Sequence, residues 1–449
     1  MEKKDITVVG GGITGLAIAY IAAKNGKSVR VVEASKNFGG LLNTFYIGGN
    51  HLEYYYHHFF THDAELNWLI KELGISDQLE FHETTMGVFR NGKIFDFNSP
   101  FDLLKFSPIS FIDKIRFGLT SLYLGKVAQW EKFEGVSSMD WLYKWAGKGT
   151  TNSLWKPLLD IKFGPHAEKV PLAWMIGRLR QRMNSRKKGD EKLGYLKGSL
   201  KTLLDALLEK LVEMGVELVG EAPVTELLIE GKKLKGIETP KGKIEGGEFV
   251  MTIPTIYLSP LLGAASKLKA QLEEIKYFGA VCTILELDRS LSPIYWLNVS
   301  DEGFPFGGII EHTNFISPEN YEGKHLVYLS RYFDMEEDLA QMSVEEIGKI
   351  MVAPLSKIYP DFKESEIKQL HVFKTKTAAT VCDLNFSGKV PSNKTEIEGL
   401  YLANMAHIYP DERSANNSVR VAAEACQAMG LDASFVPANA SLAGKIGFE

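Results

Sequence analysis

The stretch that decides the fold is Ile6-Thr7-Val8-Val9-Gly10-Gly11-Gly12-Ile13-Thr14-Gly15-Leu16-Ala17, followed after Asn25-Gly26 by Val29-Arg30-Val31-Val32-Glu33. The β-branched run at residues 6–9 reads as a buried strand. Apolar residues at 13, 16, 17, 20 and 21 have the spacing of an amphipathic helix. Asn25-Gly26 supplies its stop, and residues 29–32 form a second strand ending at Glu33. The order is strand, G-x-G-x-x-G, helix, strand, acid, which predicts a dinucleotide-binding unit. Gly10 permits the tight turn, Gly12 lets the backbone approach a pyrophosphate, and Gly15 lets helix and strand close up. Ile13 and Thr14 open the helix whose N-terminus faces that anion. Glu33, about twenty residues on, suits a ribose hydroxyl and repels a 2′-phosphate. NADP is therefore disfavoured, and FAD and NAD remain.

Working outward, the next residues are Ala34-Ser35-Lys36-Asn37-Phe38-Gly39-Gly40-Leu41-Leu42-Asn43-Thr44. With the first motif they resemble the flavin-containing amine oxidase superfamily, which includes protoporphyrinogen oxidase, phytoene desaturase and UDP-galactopyranose mutase. The resemblance implies FAD, lined by Ala34, Gly39, Gly40, Leu41 and Leu42, with Leu41 where relatives often carry Arg. It also implies that Val224, in Pro223-Val224-Thr225, lies against the adenine. Asn404 stands where relatives have an acid that contacts the phosphate or ribitol. Asn417 and Ser418 open a helix aimed at the flavin pyrimidine. The expected architecture is α/β: a Rossmann-like, GR2-type FAD-binding domain with an inserted α+β substrate domain. The FAD domain is discontinuous, over 1–84, 190–270 and 391–435. Residues 85–189 and 271–390 form the substrate domain, and 436–449 a C-terminal tail. The first insertion is expected to be helical, at 101–106, 109–124, 139–145 and 152–161. The second is expected to be strand-rich, with strands at 280–287 and 326–332.

The chain has 449 residues, 45 % hydrophobic and 24 % charged, which excludes a disordered or collagen-like polymer. A net charge of −5 argues against nucleic-acid binding. Cys282, Cys382 and Cys426 are far apart, so neither zinc nor a disulfide framework is expected. Cys282 reads as a buried small hydrophobe. With no signal peptide and no run long enough to span a membrane, the expected location is cytoplasmic, with peripheral membrane contact left open. Oligomeric state is not legible.

No triad, paired carboxylate or metal motif competes with flavin chemistry. Candidates beside the flavin are His57 and His58, within Glu53-Tyr54-Tyr55-Tyr56-His57-His58-Phe59-Phe60, and Lys376, which follows Lys374. The bland alternative for the histidines is an aromatic patch at the domain junction. The basic run Arg178, Arg180, Arg182, Arg186, Lys187 and Lys188 reads as a solvated face, with an anion clamp as the alternative. Leu158-Leu159-Asp160-Ile161-Lys162-Phe163-Gly164 resembles the protoporphyrinogen oxidase branch. The resemblance thus implies an FAD-dependent oxidoreductase of the amine oxidase/protoporphyrinogen oxidase type. It would transfer hydride from a C–H or N–H bond of a small organic molecule to flavin. The alternative is a UDP-galactopyranose mutase-like isomerase working with reduced FAD.

Overall fold

The Lys4–Val9 strand lies at the centre of a largely parallel sheet, between Val29–Val32 and Gly242–Met251. The computed structural model describes residues 2–184, 186–187, 190–263 and 266–437. Lys188 and nearly all of the 436–449 tail lie outside them. Glu217–Val219 extends the sheet beyond Val29–Val32, and Leu400–Leu402 joins Gly242–Met251 in parallel on the other side. Gly242–Met251 is long enough to serve three partners. Its second half pairs with Lys4–Val9, and its first half with Lys233–Thr239 in an antiparallel extension that Glu226–Glu230 completes.

The Ile13–Lys24 helix falls where the glycine spacing and Asn25-Gly26 put it. It is buried nearly all round rather than on one stripe. The Ala415–Ala428 helix, from the other end of the chain, covers the face opposite the sheet. The Leu200–Glu213 helix packs beside it through Leu200, Leu203, Leu204, Leu207 and Leu211. Ser199 caps that helix, and the buried Glu53 carboxylate accepts the Leu200 amide at 2.8 Å.

A second, seven-stranded sheet has the order Gln369–Thr380, Tyr277–Leu287, His325–Phe333, Gly308–Glu311, Trp296–Val299, Met86–Arg90, Lys93–Asp96. The hairpin Met86–Asp96 opens the first insertion, so that insertion is not purely helical. Its first strand, Met86–Arg90, pairs with Trp296–Val299 of the second insertion, and such long-range pairing leaves no mark on local periodicity. The helices that follow are Pro100–Lys105, Phe111–Lys126, Ser138–Trp145, Lys156–Phe163 and Leu172–Asn184, with a π turn at Thr151–Trp155. Cys282 lies fully inside the Tyr277–Leu287 strand, and burial pushes its thiol up to about 12. Among the described residues no helix is long and apolar enough to cross a membrane.

Candidate active site and cofactor cradle

A cavity of about 760 Å³ runs from the glycine loop to the sheet that contains Trp296–Val299 and Gln369–Thr380. At the loop end Gly10 has φ +113°, a value costly for any residue with a Cβ. A Cβ on Gly15 would stand 2.0 Å from the Gly10 carbonyl oxygen, so helix and strand could not close. A Cβ on Gly12 would meet nothing within 4 Å. The protein leaves that space open, in front of a helix N-terminus that no side chain caps. The orphan amides of that terminus thus face an open concavity, which is what a pyrophosphate requires. Gly39-Gly40 lies against the loop, with the Gly39 amide donating to the Gly11 carbonyl at 2.7 Å.

Glu33 closes the cradle. Its Oε2 accepts the Gly11 amide at 2.6 Å, and its Oε1 accepts the Ser35 amide and hydroxyl at 2.8 and 2.9 Å. Ala222, Pro223 and Val224 form the opposite wall, held by the Ala222 amide donating to the Glu33 carbonyl at 2.9 Å. Gly10, Gly12, Ile13, Thr14, Glu33, Ala34, Gly39, Gly40, Leu41, Leu42, Val224 and Ser418 all line the cavity. Gly15 sits behind it as a packing residue.

Three of the other expected residues do not line the cavity. Asn404 is buried and turned onto the backbone: its Oδ1 accepts the Ala406 amide at 3.1 Å, capping the turn Met405–Ile408. Met405 and Ile408 reach the cavity instead. The Asn417 amide group donates to the Glu412 carbonyl at 2.8 Å, away from the cavity. The C-terminal helix starts earlier than expected, at Ala415, with Ser414 as its cap. Ser414, Ala415 and Ser418 are therefore the residues on the wall. Lys376 is exposed on the outer face of its strand, while Thr375 and Thr377 face the cavity. Strand alternation decides this. Lys374 also points outward, onto the Ala340 and Met342 carbonyls.

The lysine at the site is Lys162. With Leu158 and Ile161 it lines the cavity from one face of the Lys156–Phe163 helix. Its ammonium is ion-paired with Glu412, and so is Arg178. Burial and the Arg178 and Arg413 guanidiniums push Lys162 well below the usual lysine range, while the Glu412 contact opposes them. Among the described side chains of the basic run, Arg178, Arg180 and Arg182 form no solvated face. The Leu172–Asn184 helix packs Arg180 at 1 % exposure, bonded to the Ala128 carbonyl, and turns Gln181 and Arg182 to the cavity. Sequence reasoning missed Glu412 and Arg413, although they stand immediately before a serine cap. Arg413 donates to the Tyr332 hydroxyl at 2.7 Å and has no carboxylate partner among the described residues.

His57 and His58 both line the cavity, together with Tyr56. The Tyr55 carbonyl lies 2.5 Å from His57 Nδ1, so that nitrogen carries the proton. Burial and the Arg413 charge push His57 down to about 4, leaving it neutral at pH 7. His58 Nδ1 is 3.3 Å from the Tyr295 hydroxyl.

A 74-residue segment is 42 % identical to a coproporphyrinogen III oxidase of Propionibacterium freudenreichii, covering 16 % of this chain and 14 % of that protein. Among solved structures, a protein of Exiguobacterium sp. 255-15 assigned as a protoporphyrinogen oxidase superposes with a TM-score of 0.76 at 18 % identity. That match covers 96 % of this chain and 99 % of the other. Reduced UDP-galactopyranose mutase superposes at 0.74 and 14 % identity, covering 99 % and 98 %. These structural likenesses carry the fold. The cradle of Gly12 and Glu33 fits FAD, and residues 13–411 match the family described as flavin containing amine oxidoreductase, so the chain belongs to that FAD-dependent family.

Proposed function

We propose that the protein oxidises a flat organic substrate bearing carboxylates, of the porphyrinogen kind, by taking a hydride from a C–H or N–H bond. The observation that carries this reading is the continuity of the cavity. The cradle at Gly12 and Glu33 opens without a partition into a chamber walled by Tyr56, Trp296 and Tyr332. FAD, when bound, supplies the two-electron acceptor. The chain does the rest. The aromatic walls stack a planar substrate. Arg413 and Arg182 offer guanidiniums for its carboxylates, and Arg413, with no carboxylate partner among the described residues, is the stronger candidate. Neutral His57 presents Nε2 as an acceptor for a substrate N–H. Lys162, Glu412 and Arg178 tie the helical insertion to the start of the C-terminal helix and keep the chamber's shape.

The segment similar to a coproporphyrinogen III oxidase supports a tetrapyrrole precursor over a simple amine. A sugar-nucleotide mutase would need cations for a diphosphate. Here Arg178 is paired with Glu412 and Arg180 bonds the Ala128 carbonyl, which commits these two members of the basic run to the protein itself.

Anaerobic spectroscopy tests the reading. Reduced porphyrins with carboxylate side chains should bleach the yellow holoenzyme, and air should restore the colour. No bleaching by porphyrinogens or amines, together with UDP-sugar isomerisation by pre-reduced protein, would sink it.

A further inference from the structure

The exposed large apolar side chains of this protein are concentrated on the first insertion. The Phe111–Lys126 helix turns Phe111, Ile112, Ile115, Leu119 and Leu122 to the outside, at 49–69 % exposure. At 3.6 residues per turn these five fall within an arc of about 100°. Three of the charged residues of the same helix, Asp113, Lys114 and Arg116, lie outside that arc, and Lys126, in the last turn, falls inside it. Lys114 donates to the Leu104 carbonyl at 2.6 Å, and Arg116 reaches the Lys144 and Trp145 carbonyls at 3.0 Å. Asp113 bonds Ser110 at the helix start. A helix facing water shows the opposite arrangement.

The patch continues on both sides. Phe101, 74 % exposed, and Leu104 extend it from the preceding helix Pro100–Lys105. Tyr123 stacks on Trp141, which meets Trp145, itself 53 % exposed at the end of the Ser138–Trp145 helix. A contiguous apolar surface of this kind marks an interaction site. Its border is basic: Lys105, Lys144 and Lys148 are exposed around it. Residues 100–150 carry seven lysines and arginines against five acids, in a chain of net charge −5.

We propose that this face seats the protein in the headgroup layer of a membrane containing anionic lipid. The apolar arc would enter the acyl boundary, the lysines would meet lipid phosphates, and Trp145 and Tyr123 would sit at the interface. A second copy of the chain is the less suitable occupant. A two-fold contact through this face would bring the same lysine border against itself. No described helix is long and apolar enough to span, so the contact is with one leaflet. The Leu172–Asn184 helix, which turns Gln181 and Arg182 to the cavity, packs directly beneath the Phe111–Lys126 helix. The surface is independent of the proposed substrate.

The test is co-sedimentation of holoenzyme with vesicles of phosphatidylcholine alone or with about one-third phosphatidylglycerol. Wild type should pellet with the anionic vesicles and less at high salt. The double variant Ile112→Glu/Leu119→Glu should bind at least about tenfold more weakly while keeping its flavin spectrum. Lys144→Glu/Lys148→Glu, which alters only exposed side chains, should abolish the preference for anionic vesicles and keeps the test open if the first variant fails to fold. Wild type that stays in the supernatant with both compositions would overturn the proposal. So would equal binding by the Ile112/Leu119 variant. A wild-type dimer that becomes monomeric in that variant, with no vesicle binding, would assign the face to self-association instead.

Discussion

The Glu33 carboxylate accepts the Gly11 amide at 2.6 Å, so the acid at the end of the second strand is bonded directly into the glycine loop. The same carboxylate lines the cavity and fixes the glycine loop. Glu33→Ala deletes charge-assisted hydrogen bonds worth about 1.5–3 kcal/mol each. FAD affinity should fall about tenfold to a hundredfold. Gly12→Val fills the open space of the cradle and should abolish binding. Fluorescence titration of apoprotein with FAD measures both, and equal retention in the two variants would refute the assigned roles.

Glu412 neutralises Lys162 and Arg178 together, and all three side chains are 20 % exposed or less. Glu412→Gln leaves two neighbouring cations without their anion, at a cost of about 3–5 kcal/mol. Lys162→Met keeps the Arg178 pair and should cost clearly less. Chemical denaturation of the holoproteins separates the two. A Glu412→Gln variant as stable as wild type would show that the pair has no structural role.

Glu53 is buried and pushed up to about 7 by that burial, against the hydrogen bonds from Leu200 and Tyr195. A folded pKa above the unfolded one means that the folded state favours the protonated form. Stability from this group is full below the unfolded value of about 4.5 and is lost as pH rises towards 7. Glu53→Gln should therefore gain on wild type by about 2 kcal/mol between pH 5 and pH 8. A stability difference between the two that does not change with pH contradicts this.

Lys376 and Arg413 make a matched pair of tests. Lys376 is exposed on the far face of its strand, so Lys376→Ala should leave kcat and KM within about twofold of wild type. Arg413→Gln should raise KM for a carboxylated substrate about tenfold or more, with a smaller change for its ester. Steady-state kinetics on acid and ester decides the matter. An equal loss on both would assign Arg413 to the fold rather than to substrate.

What the chain determines locally is the cradle. A strand, a turn with three glycines, a helix and an acid are contiguous over about thirty residues, and each needs only its neighbours to be recognised. The tertiary structure alone decides the chamber. Lys162 and Arg178 stand on successive helices, Glu412 lies 234 residues beyond Arg178, and the three carry no shared spacing. Whether Thr377 or Lys376 faces the cavity depends on which side of the strand meets the other sheet. Asn404 and Asn417 do not line the cavity because nearby backbone groups bind their amides first. The outward apolar face of the Phe111–Lys126 helix is equally silent in sequence. Its periodicity is that of any amphipathic helix, and only the packed fold shows that the apolar side was left outside.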